Sequence, residues 1–200
     1  MISLPLKLGF LASRNGSGMR AVVGAIEAGR LAAEARLLVA NRPGVAALAF
    51  AEARDMPAQV IPTLPDPDAA DAALATALQD AGAQLIVLSG YLRRLGPKTL
   101  AAYPNRILNI HPALLPSFGG EGMYGRRVHE AVATAGVAVT GATVHIVDAD
   151  YDQGPVVASR RVPLAPGDDA ETIERKVTAI EPALLVETLQ RICEGTLVLP

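Results

Sequence analysis

The stretch LIVLSGYLRRLGP, residues 85–97, decides how this chain is built. Its first four residues are apolar without interruption. A strand of that kind is covered on both faces, as in a parallel sheet with helices packed on each side. A Ser-Gly pair ends the run, a tyrosine and two arginines follow, and Gly96-Pro97 leads toward a helix. Further on, RILNI (106–110) supplies the next strand.

The same alternation extends in both directions. Upstream, KLGFLAS (7–13), ARLLVAN (35–41) and AQVIP (58–62) read as strands. Between them, MRAVVGAIEAGRL (19–31), VAALAFAEARD (45–55) and the Ala-rich DAADAALATALQDAG (68–82) carry apolar residues at helical spacing. Downstream, RRVHEAVATAG (126–136) is a helix closed by Gly136, and TGATVHIVDA (140–149) and PVVASRRVPL (155–164) pair across a short acidic turn. A long helix over 169–195 contains Pro182, where a bend is expected because proline removes a backbone donor. Strands separated by helices of this length imply βαβ units. The fold class is α/β: a single domain over residues 1–200, a Rossmann-like three-layer sandwich, mostly parallel, with an antiparallel strand in the C-terminal half.

Composition narrows the classes. Half of the 200 residues are hydrophobic but only 4% are aromatic, so the core is built from Ala, Val, Leu and Ile. The net charge of −2, with both signs mixed along the chain, does not suit a nucleic-acid partner. Cys193 has no second cysteine to pair with, which fits a reducing compartment. Residues 1–12 are too short and too weakly basic for a signal peptide, and no apolar run reaches the ~18–20 residues of a membrane span. The expectation is a soluble, cytoplasmic protein without a membrane partner. Three histidines and one cysteine give no zinc spacing, so no metal is expected.

In parallel sheets, sites form beyond the carboxyl ends of strands. After the first strand, Gly16, Ser17 and Gly18 open a helix. Free N–H groups there suit an anion, with Ser17 either capping the helix or donating to a phosphate; a plain tight turn is the alternative. Arg93 and Arg94 follow another strand, either as ligand contacts or as a solvated turn. In ILNIHPALLPSF (107–118), Asn109 and His111 share strand parity and start from the same face. An amide can donate to a developing oxyanion and an imidazole can move protons, although both residues also serve as turn caps. Asp148, Asp150 and Asp152 precede Gly154-Pro155. A carboxylate beside a histidine raises its pKa, and a polar hairpin turn would use the same residues. The acids lack the remaining positions of a calcium loop. His129 reads as structural or at a pocket edge, and His145 as packed within a strand.

Together, SRNGSGMRAVV (13–23), LSGYLRRL (88–95), ILNIHPALLPSF, GATVHIVDADYDQGP (141–155) and AIEPALL (179–185) resemble the folate-dependent formyltransferases, and within that family the branch acting on glycinamide ribonucleotide. The resemblance covers nearly the whole chain and implies the formyltransferase fold. It implies transfer of the formyl group of 10-formyltetrahydrofolate to the ribonucleotide amine, a step of purine biosynthesis, by a monomer or homodimer. It assigns Asn109, His111 and Asp152 to catalysis. Gly16, Ser17 and Gly18 hold the substrate phosphate, and Glu181, Met123, Tyr124 and Gly125 contact the substrate. Leu92, Arg93, Arg94, Leu95, Asn109, Asp148 and Asp150 contact the folate. Departures from the family pattern are Gly18 in place of Asn, no Arg in LPDPDAAD (64–71), Pro182 in place of His and Gly119 in place of Pro. Relatives acting on aminoacyl-tRNA carry a further C-terminal domain and deformylating relatives an N-terminal one; neither is expected here. The alternatives are transfer to another amine, such as an amino sugar, and a non-catalytic folate- or nucleotide-binding module.

Overall fold

Successive residues of a strand face opposite ways, so an uninterrupted apolar strand feeds two cores at once. The computed structural model describes residues 5–200 and shows this directly. In β1 (Leu6–Ala12), Leu8, Phe10 and Ala12 enter one core while Leu11 enters the other. In β2 (Ala33–Ala40), Leu38 and Ala40 face the first core, Leu37 and Val39 the second. In β4 (Leu85–Leu88), Leu85 and Val87 alternate with Ile86 and Leu88 in the same way. With β3 (Ala58–Val60), β5 (Ile107–His111), β6 (Val139–Ile146) and β7 (Val156–Pro163), these strands make one seven-stranded sheet.

The strand order is β3-β2-β1-β4-β5-β6-β7. The pairings from β3 to β5 are parallel, and β5–β6 and β6–β7 are antiparallel. The expected mostly parallel α/β sheet is therefore observed, with its antiparallel portion in the C-terminal half. The chain winds outward from β1 in one direction and from β4 in the other. A crevice for ligands opens at such a reversal, beyond the carboxyl ends of β1 and β4.

Helices cover both faces. Residues of α1 (Ser17–Glu27), α2 (Ala46–Glu52), α5 (Arg126–Ala135) and α6 (Ala170–Cys193) belong to the first core, and Leu74 and Leu78 of α3 (Pro67–Asp80) to the second. The short α4 (Pro97–Ala102) is held by Asp71 of α3, whose buried carboxylate accepts the N–H groups of Lys98 and Thr99 and the Thr99 hydroxyl. That contact fixes where the chain goes after β4.

Several element ends differ from the sequence expectation for local reasons. Helix α1 stops at Glu27 because Gly29 turns left-handed (φ 66°), and the Gly29 and Arg30 N–H groups close back on Ile26 and Ala25. Helix α6 runs through Pro182 as one element, starting at Asp169, whose carboxylate accepts the Thr172 N–H. The β6–β7 connection is not a short turn but the loop 147–155. No helix among the described residues is long and apolar enough to cross a membrane.

Candidate active site

Strand β5, paired on both sides, carries two polar side chains, the partly buried Asn109 and the buried His111. Leu88 pairs with Asn109 on one side, and on the other Asn109 pairs with His145 and His111 with Thr143. The antiparallel register thus sets His145 across from Asn109. The loop 147–155 leaves the sheet level with Ile107, whose carbonyl accepts the Val147 N–H, and returns where Ile146 N–H meets the Pro155 carbonyl. Between these ties it folds back, with Asp152 in the left-handed region (φ 57°).

That loop brings Asp152 into contact with both histidines. Asp152 Oδ2 lies 3.4 Å from His111 Nδ1, and Oδ1 lies 3.4 Å from His145 Nε2. Gly120 N–H donates to Oδ2 at 3.0 Å. His111 Nε2 faces the Phe118 carbonyl at 2.8 Å, and His145 Nδ1 faces the Ile146 carbonyl at 3.0 Å. A carbonyl only accepts, so both of these nitrogens carry hydrogen. His145 Nε2 lies 3.1 Å from the Asn109 amide nitrogen as well as near Asp152, so the neutral ring accepts from Asn109 there and the protonated ring donates to Asp152. Both histidines are almost fully buried.

The electrostatics differ in one respect from the sequence expectation. Burial pushes the His111 pKa below its ordinary 6.5, outweighing the upward pull of Asp152 and the Phe118 carbonyl, while His145 adds to the lowering. Asp152 does raise the His111 pKa, as expected, but desolvation wins. Burial also pushes the Asp152 carboxyl up, yet the His145 hydrogen bond, the His111 ring and the Gly120 N–H together hold it below the usual range. An anion thus faces a histidine ring whose two nitrogens both look at acceptors. The imidazolium satisfies both contacts and the neutral ring only one.

A second group of features adjoins the end of β1. Gly16 is the N-cap of α1 in the left-handed region (φ 67°), and no side chain caps the helix, so Ser17 does not take the capping role. Within the described residues the N–H groups of Ser17 and Gly18 have no partner, while Met19 N–H donates to Ser89 Oγ at 2.9 Å. Unpaired N–H groups at the start of a helix attract anions. A Cβ on Gly18 would sit 3.0 Å from Leu185 and 3.2 Å from Ser89 Oγ, so the loop packs directly on α6. Glu181 lies one helical turn before Leu185 on that face of α6. Burial, reinforced by Glu174, raises its pKa to about 7. His129, on α5, is buried and its Nδ1 has no hydrogen-bond partner. Burial lowers its pKa, with Glu174 opposing and His111 adding to the shift.

The other expected residues line the surroundings unevenly. Leu92 is 43% exposed, and its N–H donates to Ser13 Oγ. Arg93 is exposed, whereas Leu95 is buried in the second core and presents little side chain to a ligand. Arg94 reaches the carbonyl of Ala149. Asp148 accepts the Asp150 N–H, and both acids are exposed. Met123, Tyr124 and Gly125 lie on the β5–α5 loop, the same loop that grips His111 and Asp152 through Phe118 and Gly120. Tyr124 is half exposed with the Arg127 guanidinium 5.2 Å from its ring. Gly119 allows a close approach in that loop, since a Cβ there would lie 3.1 Å from the Cβ of Asp152.

Sequence reasoning missed His145, Ser89 and Ser13. His145 is packed, as expected, but it is packed against Asn109 and Asp152. Registering the Asn-Ile-His of one strand against the Thr-Val-His of the next would have found it.

Comparisons with known proteins bear on the family and the fold. The profile of the formyl transferase family matches residues 6–189. A phosphoribosylglycinamide formyltransferase of Mycobacterium tuberculosis is 40% identical over 186 residues, covering 92% of this chain and 83% of that protein. The chloroplastic enzyme of the same name from Arabidopsis thaliana is 35% identical over 191 residues. The chain spans only 65% of that relative's length, and 62% of its Vigna unguiculata counterpart. The crystal structure of glycinamide ribonucleotide transformylase 1 from Symbiobacterium toebii superposes with a TM-score of 0.89 at 34% identity, covering 98% of this chain and 91% of that one.

Proposed function

The chain belongs to the formyl transferase family, and on that premise we propose that it transfers the formyl group of 10-formyltetrahydrofolate to the amine of glycinamide ribonucleotide, giving formylglycinamide ribonucleotide and tetrahydrofolate in purine biosynthesis. The observation that carries this reading is the joint contact of Asn109, His111, His145 and Asp152 beside a helix start with free N–H groups.

In this reading the ribonucleotide phosphate is held by the Gly16, Ser17 and Gly18 backbone and the Ser17 hydroxyl. Glu181, Met123, Tyr124 and Gly125 contact the rest of the substrate. The folate lies against Leu92, Arg93, Arg94 and Asn109, with Asp148 and Asp150 on the facing loop; Leu95 acts from below, as packing. The substrate amine attacks the formyl carbon, and the carbonyl π pair moves onto oxygen. The Asn109 amide, oriented by His145, donates to that oxyanion, and one such donor is worth about 3–4 kcal/mol.

His111 responds to the same charge. Burial keeps its pKa low. An oxyanion forming nearby adds a second negative charge to that of Asp152 and favours the imidazolium. The ring proton now directed at Phe118 is then available to the oxyanion. As the intermediate collapses, the folate nitrogen leaves with the electron pair of the broken C–N bond. His111 relays the proton lost by the attacking amine to that nitrogen, so no net proton is consumed.

The test is direct. The protein is supplied with 10-formyltetrahydrofolate and glycinamide ribonucleotide, then with an aminoacyl-tRNA and an amino sugar phosphate. Formylated ribonucleotide as the preferred product is expected. Transfer only to a rival amine would move the assignment within the family, and binding of both ligands without product would make the protein a binding module.

A further inference from the structure

We propose that Arg94 is a positioning residue: it clasps the loop that carries Asp152 and so holds that carboxylate against His111. The inference rests on the formyl-transfer reading for its kinetic consequence, but the clasp itself is a property of the loop.

Arg94 stands just beyond the carboxyl end of β4, on a fixed base. Two residues before it, the Leu92 N–H is bonded to Ser13 Oγ at 2.9 Å, and the next residue, Leu95, is buried in the second core. From there the side chain crosses the cleft to three consecutive residues of the loop 147–155. Its Nη2 donates to the Ala149 carbonyl and lies 4.0 Å from Asp150 Oδ1, and the guanidinium carbon lies 5.6 Å from the Tyr151 ring centroid. The next residue is Asp152.

Among the described residues, no other side chain from outside the loop bonds to positions 148–151. The remaining ties there are internal, from Asp150 N–H to Asp148 and from the Gln153 amide to the Tyr151 carbonyl. Asp152 itself sits at φ 57°, a region a non-glycine residue keeps only when its surroundings over-determine it. On one side that determination comes from Gly120 N–H and the two histidines. On the other side it comes from Arg94. A planar fork that donates to a carbonyl and lies near a ring cannot be replaced by a point charge on a flexible stem. The clasp therefore depends on guanidinium shape and not on positive charge alone.

Four variants test this: Arg94→Ala, Arg94→Lys, Asp152→Asn, and Arg94→Ala combined with Asp152→Asn. Amide hydrogen exchange is followed at residues 149–152 in the parent and the two Arg94 single variants, and kcat and KM are measured for each substrate across pH in the parent and all four variants. Faster exchange confined to the loop is expected in both Arg94 single variants, with Tm unchanged. Both should lower kcat about tenfold or more, because a small misplacement of a catalytic group is costly. The KM for the ribonucleotide should stay put, and the alkaline limb of kcat should move to lower pH as the imidazolium loses its anion. Arg94→Ala should add nothing in the Asp152→Asn background, since both act through one carboxylate.

Parental exchange in Arg94→Ala overturns the clasp. So does full activity in Arg94→Lys, which would mean that charge alone matters, or an additive double variant. If the parent fails to formylate the ribonucleotide, the functional reading falls, and the exchange measurement still decides the clasp.

Discussion

Replacing Asp152 by Asn keeps the shape of the side chain and removes its charge. In the folded protein the carboxylate lies 3.4 Å from His111 Nδ1 and only 11% of its side chain is exposed. At that distance and an effective dielectric constant near 20, the attraction to an imidazolium is about 5 kcal/mol. The amide retains an oxygen for the Gly120 N–H and for His111, so about half of that attraction is expected to survive as dipole and hydrogen bond. The loss of about 2.5–3 kcal/mol in the charged transition state corresponds to about a hundredfold in kcat. The alkaline limb of the pH profile should shift downward, because His111 loses the one charge that pulls its pKa up against burial. The assay is steady-state transfer from 10-formyltetrahydrofolate to glycinamide ribonucleotide, with product quantified by chromatography between pH 5 and 9 and thermal unfolding run in parallel. A kcat within about threefold of the parent, with an unmoved limb and an intact fold, would refute the assignment of Asp152 as the electrostatic partner of His111.

Other consequences are equally open to measurement. Glu181 has a folded pKa near 7, above its ordinary 4.5, so the native state keeps a proton that the unfolded chain releases between these values. Stability is then full below pH 4.5 and falls as pH rises to 7, by about 3 kcal/mol. The Tm of the parent minus that of Glu181→Gln should decline from pH 5 to 8, and a constant difference would count against a buried, protonated Glu181. Asp71→Ala strips the N–H groups of Lys98 and Thr99 of their acceptor and leaves the Thr99 hydroxyl only the longer contact to the residue 71 carbonyl. It should cost about 3 kcal/mol in a urea titration with an unchanged slope. Ser89→Ala leaves the buried Met19 N–H without a partner. A cost of about 1–2 kcal/mol in stability is expected, with a raised KM for the ribonucleotide and an unchanged kcat; an unchanged KM would argue that the α1 loop does not receive the phosphate.

Some of the site was legible before any coordinates because it is local. Asn109 and His111 share a strand face through parity alone, and Gly16 to Gly18 open a helix by composition. Asp148, Asp150 and Asp152 stood as candidates from the residues alone, and only the family resemblance singled out Asp152, since nothing in that stretch separates a catalytic acid from a hairpin turn. His145 was passed over because its partners are set by the register between β5 and β6, and side-chain parity within one strand does not fix pairing between two.

The amino-acid sequence by itself determined the architecture. Uninterrupted apolar strands alternating with helices require a sheet covered on both faces, and backbone periodicity enforces that wherever the chain goes. It also determined the family, because five motifs recur in order along nearly the whole chain. Only the tertiary structure decided the protonation balance at His111, where burial outweighs the Asp152 charge. It also decided the left-handed seat of Asp152, the Ser89 hydroxyl that closes the α1 turn, and the reach of Arg94 to the opposite loop. Each of these depends on groups distant in sequence, and desolvation and close approach exist only once the surrounding layers have packed.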